Sequence, residues 1–534
     1  MRKITAFLII TIAIGLNACS KSQNNSSPKS RDKIRIDLGG DVATFDPQSL
    51  VDFYSFRVIS DLDEGIIDMD QANRPIPGMA ESWNISSDGK TYIFHLRHDL
   101  KFSDGSTINA ADFVYSWQRL VNPKTGGYAF ILDHVINAKA IQDGGKAPEA
   151  LGVTALDPYT LKVQLVLPDP AFLAKLTAVF SAPVPRKTIT QYGESWTTVQ
   201  HIVTCGAYTL TSRIVNGQIT LTKNPYYYAA NMVSIPTIEF IPYSDRNSAL
   251  SAYKAGNLDI LSELPIDQYQ TIKQQFPTEL HDVKIEGIVF YSLNTRLPQL
   301  QDVRLRQALS MAIDRPTLTG DILRGGQTPL YSLITPTIEN ARYSNLDYSW
   351  KNEAPAQRID YARKLYQQAG YSAESPLQLN IIYDNNDISR KIALAMASMW
   401  REQLGITTTL RVEDWKSYLQ SRKQGAFVII RNSWGAAYNM ISTYTPEYQC
   451  NSTVNVGGWC SPAYDRLIAK AESEQNHTRQ TQLYQQAITL AMESYPIIPL
   501  YQNNYTLLIK PYIGGLNVES NLLDDIRSKW LYLK

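Results

Sequence analysis

The sequence predicts an α/β protein with parallel or mixed sheets, divided over two or three cores. Three observations carry that expectation. The chain has 534 residues, more than a single hydrophobic core ordinarily serves. Hydrophobic residues make up 44% and charged ones 19%, the balance of a globular chain. Residues 377–430 alternate strand-like and helix-like periodicity, the order that builds parallel or mixed sheets.

The elements follow in order. Met1-Arg2-Lys3 is a short basic start, and Ile4 to Leu16 is a run of 13 mostly apolar, uncharged residues. That is too short to span a bilayer and right for a signal-peptide core, so residues 1–18 are expected to be a leader. It ends in Leu16-Asn17-Ala18-Cys19, which resembles the lipobox of bacterial lipoproteins; the resemblance implies a diacylated Cys19 as the mature N-terminus. Residues 19–31 are rich in Ser and Asn with no large apolar side chain and read as a flexible tether. Ile34, Ile36 and Leu38 alternate as in a strand, as do Tyr92, Phe94 and Leu96. Asn109 with Asp112 three residues on reads as a helix N-cap and its reciprocal partner, ahead of Phe113, Trp117 and Leu120 at helical spacing. Strands are expected through Leu161 to Leu165 and through Ile219 and Leu221. Asp302 caps a helix, Ile359 to Ala369 is another, and Leu377 to Ile381 a strand. Ile388 to Leu404 is a helix stopped by Gly405, Ile406 to Val412 a strand, a short helix lies around Trp415, and Phe427 to Ile430 is a strand.

Composition narrows function. Lys and Arg total 51 against 50 Asp and Glu, without the basic surplus a nucleic-acid binder needs. Removing Arg2 and Lys3 with the leader leaves 49 against 50. No phosphate-binding loop, nucleophile elbow, dinucleotide fingerprint or zincin motif occurs. His95 and His98 are too awkwardly spaced on a strand to share a metal, and no cofactor is expected. Asp61, Asp63-Glu64 and Asp524-Asp525 read as chance pairings of acids. Cys450 and Cys460 flank a short Gly/Asn/Ser loop suited to a local disulfide. Cys205 then reads as a buried thiol. Tyr, at 32 against 14 Phe and 9 Trp, suits wet binding surfaces as well as ordinary packing.

Met79-Ala80-Glu81-Ser82-Trp83, Tyr92 to Arg97, Phe102-Ser103-Asp104-Gly105 and Ala111 to Trp117 closely resemble the periplasmic oligopeptide-binding proteins of ABC importers, a solute-binding family that includes dipeptide binders. So do Gly206-Ala207-Tyr208, Asp302-Val303-Arg304, Asp314-Arg315 and the stretch from Trp415 to Phe427. The resemblance implies a type II periplasmic binding protein-like fold, with three domains in two hinged lobes around a central cleft. The corresponding division is 32–63, 188–286 and 505–534 for domain I, 64–187 for domain II and 287–504 for domain III. It implies that Tyr128, Trp415, Arg422, Arg431 and Trp434 line the cleft, followed by Ala437, Tyr438 and Asn439. An Arg there would clamp a peptide carboxylate, and Trp faces would pack its side chains.

The departures are specific. The oligopeptide binders carry Ala-Asp-Tyr-Asn after the cleft Trp, the Asp pairing with the ligand's α-ammonium; here Ala437 replaces it. A family His is Ser389, an early Glu is Val51, and Gly287 and Gly435 stand where some members have a disulfide. Cys450 and Cys460 resemble a bridge of the dipeptide-binding branch. Replacement partners for an amine would be Glu263 or Asp52. The expected protein is a monomeric, lipid-anchored envelope protein without enzymatic activity. It would hand peptides or peptide-like solutes to a permease and its ATPase. The alternatives are a specialised ligand such as a murein peptide without a free α-amine, or a surface lipoprotein without a transport role.

Overall fold

A computed structural model describes residues 32–534 apart from 51, 126, 127, 373, 451, 453 and 524, and at 266, 415 and 416 the backbone alone. The leader, the tether with Cys19, Val51 and the Trp415 side chain lie outside the described residues.

Most strands join one mixed sheet. Its order is Thr407–Glu413, Gln378–Asp384, Ile429–Gly435, Leu280–Leu293, Ile497–Ile509, Ile260–Leu261, Lys33–Asp37, Thr237–Ile241, Ile219–Lys223 and Tyr208–Arg213, with Thr328–Pro329 added on Ile497–Ile509. Pairing is parallel around Gln378–Asp384 and around Lys33–Asp37, and antiparallel elsewhere. The strand and helix periodicities of residues 377–430 therefore form one of the two parallel parts of this sheet.

Leu280–Leu293 and Ile497–Ile509 run 14 and 13 residues, more than twice the usual strand of about 5–6. Their register slips between Lys284 and Ile288 and again between Val289 and Phe290, and such bulges bend a strand pair. On one side of the bend Val283 and Leu507 join the core of Ile34, Ile36, Tyr208 and Phe240. On the other, Ile288 to Leu293 and Ile497 to Tyr501 join the core of Leu309, Trp350, Met396 and Trp400. The expected boundaries at 286/287 and 504/505 fall inside these continuous strands.

A separate antiparallel sheet, in the order Ala80–Ile85, Thr91–Leu96, Thr160–Gln164, Val153–Asp157, carries helix Ala110–Val121 on its core. That helix starts as its sequence dictates: Asn109 Oδ1 accepts from Ala111 N at 2.8 Å, and the Asn109 N–H donates to Asp112 Oδ2 at 2.9 Å. A cap of this kind is worth about 1 kcal/mol. Phe113, Trp117 and Leu120 are fully buried, with Trp117 Nε1 donating to Ser181 O at 2.9 Å.

In the second half, Asn386 caps helix Asp387–Leu404 and Gly405, at φ 73°, stops it. One strand departs from expectation. Instead of spanning Phe427 to Ile430 it runs Ile429–Gly435, because Arg431 to Gly435 are held extended by pairing with Gly287 to Tyr291. Phe427 packs just outside it against Ile382 and Tyr418. The acids read as chance pairs are also revised. Asp61, Glu64 and Asp525 belong to one buried network with Arg57, Asp68, Arg527 and Lys529. Cys450 and Cys460 are bridged. Cys205 is a buried thiol donating to Asp63 Oδ1 at 3.3 Å. His98 stacks on Tyr159 and His95 bonds to Asn84.

Candidate functional site

The antiparallel-sheet lobe and the lobe built on Ile429–Gly435 face each other across a cavity of about 770 Å³, within the range of about 300–1,000 Å³ usual for small-molecule sites. One wall presents Tyr128, His134, Asp169 and Lys175; the other presents Arg422, Trp434, Ala437, Tyr438 and Glu472.

Tyr128 precedes the short helix Ala129–Leu132 and stands over Phe180, ring centroids 4.8 Å apart. Trp434 closes the Ile429–Gly435 strand; its Nε1 donates to Thr443 O at 2.8 Å, which satisfies the indole and leaves its face to the cavity. The Ala437 N–H donates to Thr443 Oγ1 at 3.2 Å, so the same threonine holds both residues. Tyr438 is seated on Ala171 and Ala174 of the opposite lobe. Arg422 comes from helix Trp415–Gln424, and its guanidinium makes no hydrogen bond or ion pair among the described residues. Near it Glu447 is buried, one of its oxygens unpartnered. Burial pushes this carboxyl up to about 8 against the pull of Arg422.

The opposite wall holds a bonded cluster. Asp169 Oδ2 accepts from Lys175 Nζ at 2.7 Å and lies 3.0 Å from His134 Nδ1. Burial raises the Asp169 carboxyl, but His134 and Lys175 together bring it down to about 2. Lys175 Nζ sits 5.6 Å from the centre of the Tyr438 ring, joining the two walls. Burial raises the Glu472 carboxyl, with His134 and Lys175 opposing it. Asp133, also on this wall, accepts from Gln142 at 2.8 Å.

Of the expected site residues, Tyr128, Arg422, Trp434, Ala437 and Tyr438 share this cavity. Arg431 does not. It lines a second cavity of about 340 Å³ with Ser389 and Tyr501, its Nη1 3.8 Å from Asp384 Oδ1. Three positions before Trp434 on a strand, Arg431 faces the other way. Asn439 accepts from the Glu339 N–H at 2.9 Å and lines neither cavity. Of the two replacement carboxylates, Glu263 pairs with Arg246 and lines the second cavity, while Asp52 caps helix Phe53–Leu62 through one oxygen, its other oxygen buried and unpartnered. Asp133, Asp169 and Glu472, the carboxylates that line the first cavity, carry no sequence motif that singles them out. Gly287 and Gly435 are direct partners in the antiparallel pair, so a disulfide between those positions would have joined neighbouring strands. No cluster of three or more metal-ligating side chains occurs among the described residues. No described helix is long and apolar enough to cross a membrane.

The strand between the cavities is half open. Ile429–Gly435 pairs with Gln378–Asp384 only at Ile429 and Ile430; beyond them a strand partner lies on one edge alone, and on the other edge Arg431 O accepts from the Tyr418 hydroxyl and the Ser433 N–H donates to Asn432 Oδ1.

Comparison with known proteins bears on the fold and the family. The probable deoxycholate-binding periplasmic protein YgiS of Escherichia coli is 36% identical over 504 residues, 94% of this chain and 93% of that protein. The periplasmic oligopeptide-binding protein OppA of Escherichia coli is 33% identical over 93% of this chain and 91% of its own length. The solved structure of the Escherichia coli murein tripeptide binding protein MppA superposes with a TM-score of 0.81 at 33% identity, covering 94% of this chain and 98% of that one. The fold is thus the type II periplasmic binding-protein fold. The description of the bacterial extracellular solute-binding proteins, family 5, matches residues 74–455. The chain belongs to that family and is a solute-binding protein, not an enzyme.

Proposed function

We propose that the chain captures an oligopeptide or peptide-like solute between its lobes and delivers it to an ABC permease and ATPase. The observation that carries this reading is the half-open strand Arg431–Gly435, which runs past Arg422 and Trp434 at the interface of two lobes. An extended ligand could add to that edge through main-chain hydrogen bonds, which tolerate varied side chains. Arg431 and Trp434 are three residues apart, so about 10 Å of extended chain would link the two cavities. On this reading residues 32–63, 188–286 and 505–534 form domain I, 64–187 domain II and 287–504 domain III. The chain acts as a monomer in the envelope, held to a membrane by lipid on Cys19.

The ligand contacts proposed are Tyr128, Arg422, Trp434, Ala437 and Tyr438, with Trp415 alongside and Arg431 from the second cavity. Asn439 acts by holding the segment to Glu339. Arg422→Ala should weaken a tripeptide by about tenfold to a hundredfold in calorimetry, the range of a lost charged hydrogen bond. Unchanged affinity would remove Arg422 from the site.

Ala437 favours a narrower second reading, a solute without a free α-amine. A murein-derived peptide with a blocked terminus fits, as does an amphipathic carboxylate of the kind named for the YgiS relative. Mass spectrometry of the solute that co-purifies separates them: a peptide with a free α-amine supports the first reading, a blocked peptide or a steroid the second.

A further inference from the structure

The segment that lacks a carboxylate at Ala437 faces one from the other lobe. Asp169 is 5% exposed, with its Oδ1 accepting from the Ala171 N–H at 3.0 Å and its Oδ2 taken by Lys175 and His134. Lys175 lies at the end of the short helix Phe172–Lys175 and its side chain is 11% exposed. Its ammonium has Asp169 at 2.7 Å, the Tyr438 ring at 5.6 Å and the Glu472 carboxyl across the cavity. A carboxylate, an aromatic face and a second acid are the surroundings a buried ammonium requires. They are provided at the residue next to Ala437, and the ammonium in them belongs to the protein.

We propose that Lys175 stands in for the α-ammonium of a ligand, so that this cavity selects solutes that carry a carboxylate but no cationic amine. Arg422, unpaired among the described residues on the opposite wall, receives the carboxylate. A ligand amine entering beside Lys175 meets a like charge whose counter-ion is already occupied. The specificity of the site therefore rests on two residues on opposite lobes, Ala437 by what it lacks and Lys175 by what it supplies. This deepens the reading of the cavity as the ligand site and rests on it.

A structural tie and a stand-in make different predictions. If Lys175 only joins the lobes, removing it weakens every ligand alike. If it replaces a ligand ammonium, removing it frees Asp169 and reverses the preference. Calorimetry at neutral pH would use the tripeptide alanyl-phenylalanyl-alanine and its N-acetyl form. The wild-type protein is expected to bind the acetylated peptide at least tenfold tighter. Lys175→Met should bind the free-amine peptide at least tenfold tighter than the acetylated one, and Lys175→Arg should keep the wild-type order. A wild-type preference for the free amine overturns the proposal whatever the variants do, while leaving the peptide-binding function standing. So does an equal loss of both peptides in a folded Lys175→Met. Failure of both peptides to bind the wild-type protein overturns the peptide reading of the cavity and this proposal with it.

Discussion

Two buried charge clusters hold this molecule together, and they are built differently. The first joins the start of the chain to its end. Lys529 Nζ bonds to Glu64 Oε2 and to both Asp68 oxygens at 2.8 Å. Arg527 bonds to Asp68 at 2.8 Å and to Asp525 at 2.9 Å. Asp61 takes the Ser528 N–H and hydroxyl at 2.6 and 2.5 Å, with Arg57 at 3.3 Å. Each of these charges is met by hydrogen bonds with an ionised partner, the condition under which burying charge is tolerable. The second cluster lines the cavity between the lobes. There Asp169 bonds to Lys175 and lies 3.0 Å from His134 within one lobe, and the group reaches the other only through a ring face and an unbonded carboxylate. A cluster bonded across its junction is a lock. One bonded within a single wall and only touching the other can part, as the proposed capture of a solute between the lobes requires.

The sharpest way to break the comparison is to cut one member of the lock. Arg527→Ala strands Asp525 and leaves Asp68 to Lys529 alone, in a site where Arg527 itself is 3% exposed. Removing one partner of a buried pair costs about 3–5 kcal/mol. Denaturant unfolding should show a loss of that order. A loss below about 1 kcal/mol, the worth of a surface pair, would mean the lock is no stronger than an exposed ion pair.

Local signals made much of the fold legible: the Asn109 and Asp112 cap, the Gly405 stop and the strand and helix periodicities of residues 377–430 each act within a few residues. The lock was not legible. Asp61 and Ser528 lie 467 positions apart, and adjacent acids look alike whether or not a distant cation meets them. The candidate site divides the same way. Trp434, Ala437 and Tyr438 stand in one segment with a recognisable pattern and share the cavity. Arg431 and Asn439 stand in that segment too, but strand alternation turns the first away and a bond to Glu339 holds the second. His134, Asp169, Lys175 and Glu472 come from separated stretches that only the tertiary fold assembles. The Tyr excess is mostly core chemistry: Tyr227 and Tyr228 donate to Glu64 at 2.5 and 2.7 Å, and Tyr448 to Leu333 O at 2.8 Å.

Asp63 sharpens the comparison from beside the lock, because it is buried next to it in sequence without a cation. Its bonds come from Cys205, through the N–H at 3.1 Å and the thiol. Burial pushes its carboxyl up to about 7, above the unfolded value. The folded state therefore holds a proton that the unfolded chain gives up from about pH 4. The resulting stability is complete below about pH 4 and is lost as pH rises through about 7, a swing of about 2–4 kcal/mol. Asp63→Asn should flatten the stability-against-pH curve over that interval. A curve with the same slope as wild type would assign the swing to other groups.

The smallest effect should come from the cavity cluster. Lys175→Met removes a cation from Asp169, yet His134 remains 3.0 Å away and the Ala171 N–H still donates to Oδ1. What is lost across the cavity is a cation over a ring, worth about 0.5–2 kcal/mol. Folding stability should fall by about 1 kcal/mol, several times less than for Arg527→Ala. The methionine stem can still pack on Tyr438 where the lysine stem lay. A loss as large as that of Arg527→Ala would show that Lys175 is part of a second lock, and that this junction holds its lobes as firmly as the chain ends hold theirs. A small loss with a changed order of ligands would place its role in recognition, where its cation matters to what enters the cavity more than to whether the chain folds.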